Sequence, residues 1–347
     1  MLPYLLVMGA VVMLGLFAPH RFGWGSRITA FSLLLVFCGG RFEVGSDWFS
    51  YIIFYEYVLT FPTDLGFFSE PSFSVLCRVS DYLGLGITGV NFAAAAIYLV
   101  GLFLVAAKTQ SPWCAIAAAL CYYIPALPMG IIRQGAAIGI IFTMIANWTK
   151  MKDSQRAIIV ILAMTFHLSA VVMLGVVLAA SRIKVWQRLA VGFLILVVAI
   201  IFNFDPSNYF STYNDRYIEG INGVVIETTA AQFHWILIAG PSTLYLIFRK
   251  HFGAEWLDKD LMTISSLVSI ALIALLPFSS TAVTRLAMYF SFMPIIVCGM
   301  IANISLEKLN QTVLRTAVLS GTSVIFIIWL LFAENSKNYI PYHSIIL

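Results

Sequence analysis

Apolar runs of membrane-crossing length recur from one end of this sequence to the other, and nothing else restricts its fold so tightly. About 20 helical residues, rising 1.5 Å each, cross the ~30 Å hydrocarbon core of a bilayer. Runs approaching that length fall at residues 3–18, 27–40, 88–107, 112–128, 131–149, 155–167, 168–181, 187–204, 232–249, 261–277, 283–303 and 313–333. The 347 residues are 61% hydrophobic and only 10% charged, whereas a soluble domain carries roughly 25% charged residues. So little charge cannot coat a water-facing globule. The expectation is an all-α polytopic membrane protein, one integral domain over 1–347, with about 12 crossings, some of them short or re-entrant.

The placement of charge orients the chain. Basic clusters at Arg21/Arg27, Lys108, Lys150/Lys152/Arg156, Arg182/Lys184/Arg188, Arg249/Lys250/Lys259 and Lys308/Arg315 mark cytoplasmic loops. Each gap between clusters then reads as a helical hairpin, which splits 155–181 in two and leaves both termini outside. The opposite face holds Arg41, Arg78, Arg133, Arg216, Arg285 and Lys337, together with the acids Glu43, Asp47, Glu56, Asp64, Glu70, Asp81, Asp205, Asp215, Glu219 and Glu227. Lysine serves topology as well as arginine does, yet five of these six outward cations are arginines. Arginine is preferred where a planar fork must meet a phosphate or carboxylate, so chemistry is expected on the outer face. Two outward loops are long, 41–87 and 205–231. Within the first, Val75, Leu76, Val79, Tyr82 and Leu83 fall at helical spacing with Ser74, Arg78 and Asp81 opposite. That spacing predicts an amphipathic interfacial helix near 72–83.

Several classes drop out. The five cysteines are scattered without CxxC spacing, which argues against a disulfide framework and a zinc site; they read as packing residues. Leu2–Ala18 lacks a basic n-region and a small-residue cleavage site, so it reads as a first transmembrane helix rather than a signal peptide. No metal, cofactor or nucleic-acid partner is expected.

The polar residues form four constellations. In Arg41-Phe-Glu-Val-Gly45-Ser-Asp47-Trp-Phe-Ser-Tyr51 a cation and an acid flank a glycine turn and can face each other across a tight loop. The aromatics around it suit either an interfacial belt or stacking on sugar rings. Pro125-Ala-Leu-Pro128-Met-Gly130-Ile-Ile-Arg133-Gln134-Gly135 breaks a hairpin and puts Arg133 at membrane depth, where an unpaired charge costs upward of ~2.5 kcal/mol. Gly135 and Gly139 give small-xxx-small spacing and predict a close helix contact. His167 lies between two runs too short to span, an arrangement that builds sites inside bilayers; with no acid nearby in sequence and no second histidine at i+4, it does not read as a metal ligand. Arg285 opens a helix in Thr284-Arg285-Leu-Ala-Met-Tyr289, and Arg216 sits in the second long loop. Arg41, Arg133 and Arg285 would cradle a diphosphate if the bundle brings them together.

Arg41-x-x-x-Gly45-x-Asp47-x-x-x-Tyr51 resembles the signature of EpsG-like, Wzy-type polysaccharide polymerases. Glu70 followed by Phe73, Ile132-Arg133-Gln134, Phe166-His167-x-Ser169, Arg285-x-x-x-Tyr289 and Tyr339-Ile-Pro341-Tyr342 are similar to the later blocks, in order, over the whole chain. Ser46 and Trp48 stand where Thr and Tyr are commoner, and Gly135 where Ala is. The resemblance implies a GT-C-like, metal-independent glycosyltransferase of the bacterial cytoplasmic membrane, facing the periplasm or cell exterior. Such an enzyme moves a growing glycan from undecaprenyl diphosphate to an incoming lipid-linked repeat unit, so its partners are lipid-linked oligosaccharide donor and acceptor, with a chain-length regulator protein allowed. On that footing the expected catalytic residues are Asp47, His167, Arg133 and Arg285. Arg41, Tyr51, Glu70, Gln134, Arg216 and Tyr289 are expected to bind substrate. A ligase for the same lipid carrier, and a transporter or flippase, are the rival readings.

Overall fold

In the computed structural model, the described residues are 1–18, 22–61, 70–181, 229–273, 280–301 and 310–345. They form α1 (Leu2–Phe17), α2 (Trp24–Gly39), α3 (Trp48–Thr60), α4 (Pro71–Tyr82), α5 (Gly86–Ala106), α6 (Pro112–Ala118), α7 (Ile132–Ala146), α8 (Asp153–Met164), α9 (Val172–Ala180), α10 (Thr229–Phe248), α11 (Lys259–Ile273), α12 (Ser280–Ala287), α13 (Phe292–Ile301) and α14 (Gln311–Phe332). Among the described residues the one strand-like feature is an isolated antiparallel bridge between Arg41 and Ser344. The chain is an all-α, multi-pass membrane protein. The expected helix over 187–204, Arg216 and nearly all of the 205–231 loop lie outside the described residues.

Among the described residues, three helical stretches are long and apolar enough to cross a bilayer by themselves, Gly86–Ala106, Val283–Ile301 and Gln311–Phe332. Six other apolar helices have 10–17 residues. Many helices are thus shorter than the apolar runs that contain them, because proline, glycine and polar residues interrupt the backbone ladder. After α6 the chain passes into π-helical turns over Ala119–Tyr123 and Pro125–Gly130. Pro125 and Pro128 cannot donate to the ordinary ladder, and a wider turn absorbs the loss. The reversal itself falls at Ile131, where the backbone leaves helical geometry (φ −99°, ψ 69°).

At the centre α5 packs along α7. A Cβ added to Gly101 would sit 2.1 Å from the Gly139 carbonyl oxygen, and one added to Gly139 would sit 2.4 Å from that of Ile97. The small-residue contact expected on α7 is therefore real, and Gly101 on α5 completes it from the other side. Gly135 meets a different neighbour, the backbone of Leu127 and Pro128 at 2.8 and 3.2 Å from its virtual Cβ. Close backbone approach of this kind replaces the hydrophobic drive that lipid does not supply.

The 41–87 segment contains two helices. α4 lies close to the expected 72–83, burying Phe73, Ser74, Cys77 and Ser80 and leaving Val75, Val79, Tyr82 and Leu83 exposed as an apolar stripe. The helix α3 was not anticipated: its aromatics face all round, so no stripe stands out, although Trp48, Tyr51 and Val58 are buried at helical spacing. The C-terminal tail straps this region. Phe42 donates its N–H to His343 O, Gly45 to Asn338 O and Ile345 to Gly40 O at 2.8–3.0 Å. The Tyr342 hydroxyl donates to Phe37 O at 2.8 Å, and the Tyr4 hydroxyl to Tyr339 O at 2.9 Å.

Candidate active site

The first constellation is anchored by its arginine. Arg41 is 1% exposed. Its Nε donates to Val44 O at 2.9 Å, Nη1 to Cys38 O at 2.5 Å and Nη2 to Asn91 Oδ1 at 3.1 Å, and its guanidinium lies 5.9 Å from the Trp48 ring centre. The expected pairing across the loop with Asp47 is replaced by carbonyls, because a buried guanidinium is best satisfied by fixed acceptors around its whole fork. In this arrangement Arg41 ties the end of α2 to the turn, and its fork does not point into an open anion site. Gly45, at φ +123°, presses that turn onto the π-helical break: a Cβ there would come within 2.1 Å of Met129 O. Asp47 occupies the N-cap position of α3 and lies near enough to Arg133, Tyr51 and Tyr339 to act on them electrostatically.

Arg133 stands in the first turn of α7, immediately past the reversal at Ile131. Its Nη1 is 2.8 Å from Glu70 Oε2, with the side chains 30% and 10% exposed. Its guanidinium lies 5.5 Å from the Tyr51 ring centre and 5.1 Å from that of Phe54, so two aromatics of α3 form a wall for the charge. The other carboxylate oxygen of Glu70, Oε1, pairs with Nδ1 of His167. One acid thus bridges an arginine and a histidine that lie far apart in sequence. Burial opposes the charged carboxylate, but His167 and Arg133 outweigh it and hold Glu70 below the usual glutamate range.

Glu70 itself sits in left-handed backbone geometry (φ 65°, ψ 68°) at the N-cap position of α4, a conformation a non-glycine residue keeps only where its surroundings compel it. The compulsion is visible at Ser72, which donates its N–H to Thr165 O at 3.0 Å and shares a 2.7 Å hydroxyl–hydroxyl hydrogen bond with Thr165. That staple docks α4 onto the break between α8 and α9. His167 lies in the break with extended backbone (φ −159°, ψ 117°). At 1.5 Å per residue α8 is about 18 Å long and α9 about 14 Å, so neither crosses ~30 Å of hydrocarbon by itself.

Two further tethers bring in the α12 region. Gln134 Nε2 donates to Arg285 O at 2.5 Å, and Ser169 Oγ donates to the Tyr289 hydroxyl at 3.1 Å. Tyr289 in turn feels the charges of Glu70 and Arg285. Asp47, Tyr51, Glu70, Arg133, Gln134, His167, Arg285 and Tyr289 therefore share one neighbourhood; Arg41 borders it as an anchor.

The sequence offered no acid for His167, because Glu70 is 97 positions away and only tertiary structure joins them. Ser169, Phe54 and Tyr339 also border the site without having been singled out as site residues. The virtual Cβ of Gly130 falls 2.4 Å from the Tyr339 hydroxyl, and the terminal aromatic motif was the available sign that the tail takes part.

Chemically, the cluster offers cations for an anion, a histidine oriented by an acid, and aromatic surface. The EpsG family model matches residues 26–344. No curated protein and no solved structure matches the chain. The match covers nearly the whole sequence, and the chain belongs to the EpsG family.

Proposed function

We propose that this member of the EpsG family is a polysaccharide polymerase that transfers a growing glycan from undecaprenyl diphosphate to an incoming lipid-linked repeat unit. The observation that carries the reading is the convergence of Arg133, Glu70, His167, Gln134 with Arg285, and Ser169 with Tyr289 at the broken ends of helices. In the orientation set by the basic loops this cluster faces the outside of the cytoplasmic membrane. The fold assigned to it is a GT-C-like bundle of about 12 crossings.

Transfer needs three things from the protein. The departing diphosphate gains negative charge, and Arg133 and Arg285 oppose that charge as preorganised donors. The acceptor hydroxyl must lose its proton, and His167 is the base, with Asp47 as a positioner beside Arg133. The sugars need surface, which Tyr51, Phe54 and Tyr289 supply. No metal enters these steps, because the cations are side chains. The donor and acceptor are lipid-linked oligosaccharides, and a chain-length regulator is a compatible partner.

A deletion strain complemented with wild type or Arg133→Ala, with surface polysaccharide resolved on gels, tests the reading. Wild type restores a ladder, and the variant leaves single repeat units. Full-length polymer accumulating on the lipid carrier would instead identify a ligase, and units trapped on the inner leaflet a transporter.

A further inference from the structure

We infer that Glu70 is the positioning residue of the reaction, fixing the tautomer and orientation of His167 through Nδ1 while it holds Arg133 through its other oxygen. The inference rests on the polymerase reading and adds the residue that makes His167 competent in it. A carboxylate accepts hydrogen bonds and cannot donate. The contact of Glu70 Oε1 with Nδ1 therefore places the ring proton on Nδ1 and makes Nε2 the acceptor. Three observations show an acid held for this purpose. Its backbone is strained at φ 65°; the Ser72–Thr165 staple fixes it against the His167 break; and its side chain is only 10% exposed, with both oxygens committed.

The groups bearing on His167 are Glu70 at the start of α4, Arg133 from α7 through that carboxylate, and the Tyr289 hydroxyl through Ser169 two residues on. Asp47 lies beyond Arg133, and Arg285 beyond Tyr289.

In the transfer, the acceptor oxygen forms a bond to the anomeric carbon of the donor glycan. The bond from that carbon to the phosphate oxygen breaks, and its electron pair leaves with undecaprenyl diphosphate. The acceptor proton passes to Nε2 of His167, giving an imidazolium that the Glu70 carboxylate stabilises through Nδ1–H. That proton then goes to water, and His167 returns to its starting state.

The test uses purified full-length protein in vesicles, with lipid-linked repeat units extracted from the deletion strain, and follows polymerisation rate against repeat-unit concentration. Glu70→Gln keeps the shape and an acceptor oxygen but removes the charge. We expect kcat to fall about 10²-fold, a typical size for general-base assistance, with KM for the repeat unit little changed. The loss falls on kcat and not on KM, a split that a merely structural defect would not give. A second variant separates positioning from folding: in a His167→Gln background, adding Glu70→Gln costs clearly less than it does in wild type, because the part acting through His167 is already gone and only the hold on Arg133 remains. A loss carried by KM, or an equal loss with and without His167, overturns the positioning role while leaving the polymerase reading standing. Failure of wild type to extend the units overturns that reading, and this inference with it.

Discussion

The pairing of Arg133 with Glu70 lends itself to a double-mutant cycle, with Arg133→Met and Glu70→Gln as the legs. The two charges stand 2.8 Å apart at their nearest atoms, with side chains 30% and 10% exposed. At about 4 Å between charge centres and an effective dielectric near 20, their attraction is about 4 kcal/mol. Partial exposure of the guanidinium reduces this, so a coupling of about 2–3 kcal/mol is expected. Arg133→Met leaves Glu70 with His167 alone and costs about 3 kcal/mol. Glu70→Gln leaves a largely buried cation with Asp47 as the remaining acid near it, beside the Tyr51 and Phe54 rings, and costs a similar amount, about 2–3 kcal/mol. The double variant, with neither charge, falls short of the sum by the coupling energy. The protein carries its own reporter: all five cysteines are free, and Cys38, Cys77, Cys114 and Cys121 are buried, so a thiol-reactive fluorophore reads unfolding in detergent. Single losses that add to within about 0.5 kcal/mol would show that the two residues are not partners, and the site described here would be wrong at its centre.

Other substitutions separate scaffold from chemistry. Arg41→Lys cannot reproduce a fork that meets three acceptors, and should lower stability by about 2–4 kcal/mol, seen as a fall in unfolding temperature with the same dye. Gly139→Ala places a Cβ 2.4 Å from Ile97 O, against an ordinary contact of about 3.4 Å or more, so α5 and α7 must part by about 1 Å. A cost of about 1–3 kcal/mol follows, and polymer yield in complemented cells should drop because Arg133 and Gln134 ride on the same helix.

The all-α, membrane-spanning class was legible in the sequence, and so was part of the candidate cluster. Arginine rather than lysine on one face, and polar residues at breaks in apolar runs, pointed to Arg133, His167 and Arg285 without any structure, and the fold puts all three in one neighbourhood. Helix lengths were less legible, because hydropathy averages over a break. Residues 112–128 look like one span, yet the prolines turn its second half into π-helix. The helix α3 was hidden because aromatics on every side erase the stripe that betrays amphipathic helices. The partners of Arg41 were hidden for a different reason. Its neighbours in sequence include an acid, but its partners are backbone carbonyls and Asn91, and nothing local encodes those.

The positions of the helix ends bear on why an anion should be drawn to this cluster even though Arg133 already has an acid partner. Asp47 and Glu70 are the N-cap residues of α3 and α4, and Arg133 lies in the first turn of α7. Their mutual contacts bring the N-termini of three helices of 13, 12 and 15 residues into one place. Each N-terminus carries roughly half a positive charge. At α4, however, Pro71 has no N–H and those of Ser72 and Phe73 already donate to Thr165 O and Glu70 O, so that end adds its dipole and no free donor. Neither acid turns its side chain back to cap its own helix; Glu70 spends both oxygens on Arg133 and His167 instead. The local field is therefore more positive than the count of two arginines, one histidine and two acids suggests. On the polymerase reading, a diphosphate would meet a field fixed by the backbone, which needs no reorganisation as charge develops. Broken helices supply those ends, and in a bilayer such ends are tolerated only where protein or a water-filled cavity surrounds them. The interruptions at Ile131, at His167 and beside Tyr289 are thus the price of the site.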